Sequence, residues 1–373
     1  MHDARELLDR IRALPLDDRV RVMNVCGGHE RTISKSGLRG ALPKAIEIIP
    51  GPGCPVCVCP EEDIYDAIRL SLTRDVTLVA FGDMLRVPTN GPKSAPRSLE
   101  QARAAGADIR PVASPMEAVD IAARNPHRQT VFFAAGFETT VAPVAAMLAQ
   151  TPPDNLSVLL SGRLTWPAVH MLLESGAPGF DGLIAPGHVS AVMGPEEWLF
   201  VPAEYGRPAA VAGFEPASLL AAMYSVLRQK LDGTAILDNQ YREVVPPGGN
   251  PTARRLMGKV LTVVDANWRG IGVIPNSGFA IAPQYAEYDA RLRFPVDSDP
   301  DRKRLGEMPP GCDCARVVLG RIYPDQCALY GRACTPRKPV GPCMVSDEGA
   351  CRIWWSSGVR PSEAEAGSAL QPA

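Results

Sequence analysis

The chain lacks an excess of either charge. Its 39 Lys and Arg face 41 Asp and Glu, a net −2 over 373 residues. A balance that even builds no field for nucleic acid, and no polybasic run suggests a lipid surface. No stretch approaches the ~20 apolar residues of a membrane span. Met1–Arg12 is charged from its start and has no apolar signal core. A cytoplasmic protein with no nucleic acid and no membrane partner is expected. G-x-x-x-x-G-K-[ST] does not occur, so nucleotide use is not expected either. No repeat of fixed period is present. Cysteine is absent between Cys59 and Cys312, although the chain holds ten.

The ten form two groups. Cys26, Cys54, Cys57 and Cys59 lead, and Cys312, Cys314, Cys327, Cys334, Cys343 and Cys351 trail. The density is far below the ~8–10% of a disulfide scaffold, and a reducing cytosol disfavours such a framework. Two thiol groups flanking a cysteine-free middle point to two sites rather than to scattered core packing.

Between them, branched apolar runs alternate with helix-like stretches. The runs are 76–81, 130–135, 157–160, 182–185 and 209–213. The stretches are 62–72, 97–105, 115–124, 141–150, 166–174 and 216–230. This alternation means βαβ units and an α/β fold with parallel sheets. The strand ends carry polar turns, Gly82-Asp83, Glu138-Thr139-Thr140 and Gly187-His188, where ligand sites form in open α/β sheets. Thr139 or Thr140 would serve as a helix N-cap, or Glu138 and Thr139 would contact a ligand. The division expected is an amphipathic helix at 1–20 docked on the C-terminal domain, α/β domains at 21–126 and 127–234, and a mostly irregular or helical third domain at 235–373. Pro50-Gly51-Pro52-Gly53 stops any helix, so the leading cysteines are expected on loops.

In the tail, Cys314, Cys327, Cys334 and Cys351 are spaced C-x12-C-x6-C-x16-C. Four thiolates on Pro- and Gly-punctuated loops suit a [4Fe–4S] cluster or a structural Zn²⁺. The wide spacing favours the cluster, with Cys312 and Cys343 as alternative ligands. At the front, Cys54-Pro55-Val56-Cys57 suits redox cycling between dithiol and disulfide. With Cys26 and His29 it would equally make a Cys3His zinc site. A zinc-binding scaffold and a thiol–disulfide oxidoreductase are therefore the rival readings.

Together these residues resemble the HypD family of hydrogenase maturation proteins. The resemblance is carried by Cys26-Gly27-Gly28-His29-Glu30, Gly51-Pro52-Gly53-Cys54-Pro55-Val56-Cys57, Phe81-Gly82-Asp83-Met84, Gly136-Phe137-Glu138-Thr139-Thr140, Pro186-Gly187-His188-Val189-Ser190 and Pro275-Asn276-Ser277-Gly278. Cys334-Thr335-Pro336 and the run Gly341-Pro342-Cys343-Met344-Val345-Ser346 complete it in the tail. It implies two Rossmann-like domains and a third domain whose [4Fe–4S] cluster is held by Cys314, Cys327, Cys334 and Cys351. It also implies a scaffold and redox role in assembling the Fe(CN)2CO centre of [NiFe] hydrogenase. The implied partners are a HypC-type chaperone, a HypE-type donor carrying cyanide as a thiocyanate, and, indirectly, the hydrogenase large subunit. Cys26 would bind the iron of the transient Fe(CN)2CO unit, and His29 would orient its ligands or carry protons. Cys54 and Cys57 would exchange electrons, with Asp83, Glu138 and Thr139 as further site residues. Arg31 stands where members often carry a second His, and Cys59 is an extra thiol.

Overall fold

The computed structural model describes residues 3–92, 94–295 and 308–361. The α/β reading holds. Eleven strands among these residues form two sheets: β1 (Val20–Asn24), β2 (Ile46–Pro50), β3 (Val76–Phe81), β4 (Ile109–Val112), β5 (Gln129–Gly136), β6 (Leu156–Arg163), β7 (Gly182–Pro186), β8 (Ala209–Ala212), β9 (Leu237–Asn239), β10 (Leu261–Trp268) and β11 (Gly272–Ile281). The first sheet, in order β2-β1-β7-β8-β9, is parallel throughout. The second runs β10-β11-β6-β5-β3-β4, parallel except for the terminal hairpin of β10 and β11. Val131, Phe132, Phe133 and Ala134 in β5 are all buried. An unbroken apolar run of this kind is what helices on both faces of a parallel sheet require.

The sheets do not divide the chain at 126/127. β1 and β2 pair with β7–β9, while residues 76–136 share a sheet with β6 and with the 261–281 hairpin. The two-domain boundaries expected from sequence are corrected accordingly. Consecutive βαβ units read alike whichever sheet they join, so the interleaving left no mark in the pattern. The chain passes between sheets at 51–60, at 164–166 and at 240–250.

In both sheets the chain winds outward from one inner strand and then outward again from its neighbour. The strand order reverses between β1 and β7 in the first sheet, and between β3 and β5 in the second. Crevices outside the carboxyl ends of strands at such reversals are where open α/β sheets bind ligands. The loops that open there begin at Val25-Cys26 and Gly187-His188, and at Gly82-Asp83 and Phe137-Glu138.

The tail builds no separate core. Its buried Val317, Met344 and Ile353 share one with Val56 and Val58 of the 51–60 connector and with Leu78 of β3. Glu30 ties it on, accepting from Trp354 Nε1 at 2.7 Å and from Arg39 Nη2 at 2.8 Å. The N-terminal helix Ala4–Arg12 likewise departs from expectation. Its buried Leu7 and Ile11 pack with Leu219 and Met223 of the helix Pro216–Leu231, on the first sheet rather than on the C-terminal region. The remainder of the expected 235–373 domain includes segments outside the described residues.

Replacing Ile11, fully buried in that contact, with Ala is expected to destabilise the fold by about 2–5 kcal/mol. Leu8→Ala, at a half-buried position one residue on from Leu7, should cost clearly less. Urea unfolding midpoints compare the two.

Candidate functional site

The leading cysteines occupy helix starts as well as loops, which corrects the loop expectation. Pro50–Gly53 does exclude helix, but helices begin immediately beyond the strand ends. Cys26 precedes the helix Gly27–Lys35, and Cys54 caps the one-turn helix Pro55–Val58 that contains Cys57. The loops after β1 and β2 touch backbone to backbone. Gly27 N donates to Gly53 O at 3.0 Å, and a Cβ on Gly53 would stand 2.4 Å from Cys26 N. Only glycine fits there. Gly27 is pressed as closely by the tail, since its Cβ would meet Glu348 Cβ at 2.4 Å.

One narrow pocket results. Cys26, Cys54, Cys343, Glu348 and Asn24 are among the residues lining it. The pocket therefore joins the leading thiol group to the trailing one across nearly the whole sequence. Cys54 and Cys57 are disulfide-bonded, with Cα atoms 5.3 Å apart. The backbone N–H groups of His29 and Gly28 point at the Cys26 sulfur and favour its thiolate, but desolvation outweighs them and pushes the thiol up to about 12. Burial likewise raises the Glu348 carboxyl to about 7, with Asp83 adding repulsion. Asp83 accepts from Ser346 Oγ at 3.2 Å, which places it beside the tail loop at the rim.

His29 is fully buried and engaged at both nitrogens. Nδ1 faces Asn24 Oδ1 and Nε2 faces Ala212 O, each at 3.1 Å. Desolvation lowers it to about 3; both facing atoms are acceptors, so a neutral ring donates to one of them at a time, to Asn24 at the end of β1 or to Ala212 of β8. With Cys54 and Cys57 bonded to each other, the four residues of the rival zinc site do not present as a ligand set. Arg31 is exposed beyond this site.

Glu138 and Thr139 lie elsewhere. Glu138 is fully buried, and its carboxylate accepts from Thr165 N at 2.6 Å and Thr165 Oγ1 at 2.7 Å. It clamps the 164–166 connector and does not line the Cys26 pocket. The helix Glu138–Leu148 is preceded by Phe137, so Thr139 and Thr140 lie in its first turn rather than capping it. Thr139 is exposed.

In the tail the structure gathers all six thiols, the four expected ligands together with the alternatives Cys312 and Cys343. Cys312 Sγ and Cys314 Sγ are 3.4 Å apart. Cys343 is hydrogen-bonded to both Cys314 and Cys351, which lowers it to about 5 and raises Cys351. Cys327 and Cys334 act electrostatically on the same group. Backbone N–H groups of Val340 and Cys351 donate to Cys334 Sγ and Cys343 Sγ, each at 3.3 Å. Gly341 belongs to the same packing, because its Cβ would meet the sulfurs of Cys312 and Cys314. Buried thiols with N–H donors on sulfur are the donor chemistry of an iron–sulfur cluster. Among the described residues, no three His, Cys, Asp or Glu side chains surround a point suited to one metal ion. No helix among them is long and apolar enough to cross a membrane.

Sequence reasoning missed two neighbours of Cys26. Glu348 lies two residues beyond the tail motif that ends at Ser346, but nothing local places it at residue 27. Phe214 follows β8, and its ring is 4.7 Å from His29 and 3.8 Å from His188. A lone aromatic after a strand carries no signal of its own.

The chain matches the family model described as "HypD: Hydrogenase formation hypA family" over residues 2–358. It is 40% identical over 365 residues to the hydrogenase maturation factor HypD of Azotobacter vinelandii, covering 95% of this chain and 94% of that one. Against the HypD of Escherichia coli (strain K12) the identity is 40% over 349 residues, with 92% and 91% covered. Against that of Cupriavidus necator it is 39% over 352 residues, with 91% and 90% covered.

Burial raises Glu138 from 4.5 to about 7. The folded state thus holds a proton that the unfolded chain releases, and this group's contribution to stability falls as pH rises from about 4.5 to 7. Glu138→Gln keeps an acceptor for Thr165 N and a donor for Thr165 Oγ. It is expected to flatten that part of the stability–pH profile, followed by thermal unfolding, while leaving maturation activity in place. A loss of activity with an unchanged profile would instead return Glu138 to the chemistry.

Proposed function

Because the chain belongs to the HypD family of hydrogenase formation proteins, we propose that it is the scaffold and redox partner on which the Fe(CN)2CO centre of [NiFe] hydrogenase is assembled in the cytoplasm. The observation that carries this reading is the single pocket lined by Cys26, Cys54 and Cys343. A soft thiolate, a two-electron thiol pair and the tail thiols there share one small volume.

Cys26 supplies a thiolate to the incoming iron, together with a thiolate from a HypC-type chaperone. Soft anionic donors suit an iron that is to collect cyanide and CO. Iron displaces the thiol proton, and the divalent charge reverses the desolvation that disfavours the thiolate. Asn24 and His29 hold the loop that presents this sulfur. Asn24 Nδ2 donates to Cys26 O at 3.0 Å, and His29 bridges to β8.

Cyanide arrives on a HypE-type donor as a thiocyanate. Its release as cyanide breaks the S–C bond and leaves the donor sulfur two electrons short. The reduced Cys54–Cys57 pair supplies both. Two thiols become one disulfide and yield two protons, one of which returns the donor sulfur to a thiol while the other leaves. The disulfide of this structure corresponds to the pair after such a step. Cys314, Cys327, Cys334 and Cys351 would hold a [4Fe–4S] cluster, with Cys312 and Cys343 in the same thiol group, and a cluster there supplies single electrons. Cys343 touches Cys314 and Cys351 on one side and lines the Cys26 pocket on the other, so it stands between the tail thiols and the leading pair.

Anaerobic protein isolated with its small partner is expected to show infrared bands of bound cyanide and CO. It should also hold about four iron and four sulfide per chain, beyond the carried iron. Cys26→Ala should lose the bands and keep the sulfide. Cys54→Ala should keep the sulfide and fail to accept cyanide. Full bands in Cys26→Ala would overturn the carrier role, and a colourless chain with stoichiometric zinc would overturn the cluster.

A further inference from the structure

Arg269 lies in the turn between β10 and β11 and is only 1% exposed. An arginine brings a permanent positive charge wherever it is placed. Its backbone N–H donates to Val58 O at 3.0 Å. Its Nη2 donates to Pro88 O at 2.7 Å and stands 3.7 Å from Oε2 of the buried Glu61. Val58 follows Cys57, and Glu61 opens the helix after Cys59. The residue is therefore fixed against the far end of the connector that carries the disulfide, and it acts electrostatically on Cys59. Its neighbours Trp268 and Ile271 pack in the same core as Cys54 and Cys57. A buried ion pair seldom repays its desolvation, and apolar side chains of the same volume commonly hold a fold as well. Stability alone is a poor reason for a guanidinium here.

The other groups around the pair supply little positive charge. Cys26, Glu30 and Glu348 share the pocket with Cys54. Cys314 and Cys343 lie on the two short tail helices packed against Pro55–Val58, and β5, packed on the same turn, has no charged residue. Cys59 and Glu61 follow on the connector. Each of these is neutral or an anion. Arg316, on the first of those tail helices, is 58% exposed and pairs with Asp313 at 3.5 Å. Arg163, which also acts on Cys59, is joined to Asp63 at 3.7 Å and to Asn267 O at 2.8 Å.

We propose, on the functional reading given above, that Arg269 is a positioning residue whose buried charge favours the thiolate of the opened Cys54–Cys57 pair, the form that attacks the sulfur of the cyanide donor. In that attack an S–S bond forms as the donor's S–C bond breaks, and cyanide leaves with the electron pair. The second thiol of the pair then displaces the donor sulfur and closes the disulfide, and its proton returns the donor to a thiol. Arg269 acts on the first proton loss, which makes the attacking thiolate. Glu61, of opposite charge, works against it.

The test uses the full chain, equilibrated anaerobically with mixtures of reduced and oxidised dithiothreitol and trapped by alkylation. Mass spectrometry of the peptide carrying Cys54 and Cys57 gives the ratio of dithiol to disulfide. Arg269→Gln is expected to lower that ratio about tenfold above about pH 9, where thiolate forms, and to match the wild type at about pH 6, where both thiols keep their protons. For a two-electron couple, tenfold is about 30 mV. Glu61→Gln, which keeps an acceptor for Asn90 N, should raise the ratio over the same range, and Arg269→Lys should stay with the wild type. A merely structural role would offset the ratio at every pH and give Arg269→Gln and Glu61→Gln the same sign. Such an offset overturns the proposal, and so does an Arg269→Gln ratio that follows the wild type throughout. Should that variant not fold, Glu61→Gln decides alone, and an unmoved ratio there overturns the proposal. A wild-type disulfide that dithiothreitol never opens sinks the electron-supply reading and the role of Arg269 with it, whereas variants that follow the wild type leave that reading standing.

Discussion

The site depends on three places where backbones or sulfurs approach too closely for a side chain. At Gly53 the loop after β2 lies against Cys26, at Gly27 the tail lies against the loop after β1, and at Gly341 the tail folds over Cys312 and Cys314. Each contact brings together segments far apart in sequence. A methyl group at any of them would meet heavy atoms under 3 Å away, and the neighbours at Gly27 and Gly53 include main-chain atoms that cannot rotate aside. The pocket holding Cys26, Cys54 and Cys343 is therefore a product of absent side chains as much as of present ones.

The electrostatics follow from that crowding. Cys26, Cys59, Glu348 and Asp83 are all pushed toward their neutral forms by desolvation. Glu30, which also lines the pocket, accepts hydrogen bonds from Arg39 and Trp354. Of the four, Cys26 and Glu348 line the pocket with no cation among the groups that act on them, and a divalent ion there would invert the balance of both. Burial raises the tail thiols Cys327 and Cys334 in the same way, whereas hydrogen bonds with Cys314 and Cys351 lower Cys343.

Much of this was legible in the sequence. The runs at 76–81, 130–135, 157–160, 182–185 and 209–213 fall on β3, β5, β6, β7 and β8, because strands buried on both faces must be uniformly apolar. β1, β2 and β4 were not read. Val20–Asn24 carries Arg21, Ile46–Pro50 carries Glu47, and Ile109–Val112 carries Arg110 and Pro111. These interruptions hide a strand from a reading that looks for continuous runs. The polar turns at strand ends were found, but not their allocation. Nothing local distinguishes Cys26, which faces the tail, from Glu138, whose two oxygens are spent on Thr165. Which sheet a strand joins is decided by packing across hundreds of residues, and so is the meeting of Glu348 with Gly27.

The Cys54–Cys57 disulfide lies on a connector between the two sheets. A segment that forms and breaks a covalent bond must be held at both ends, or each cycle would shift the walls of the pocket. The 51–60 connector is held in this way. Before the pair, Gly27 N donates to Gly53 O at 3.0 Å, and after it Arg269 N donates to Val58 O at 3.0 Å. Further on, Asp63 accepts from Ser161 Oγ at 2.5 Å and from Arg291 Nη2 at 2.6 Å, fixing the next helix to β6. None of these bonds involves the sulfur of Cys54 or Cys57. Opening the disulfide therefore leaves the anchors of both sheets in place and confines the change to one helical turn, Pro55–Val58. On the proposed reading, that separation keeps the sulfurs that would react apart from the backbone that positions them.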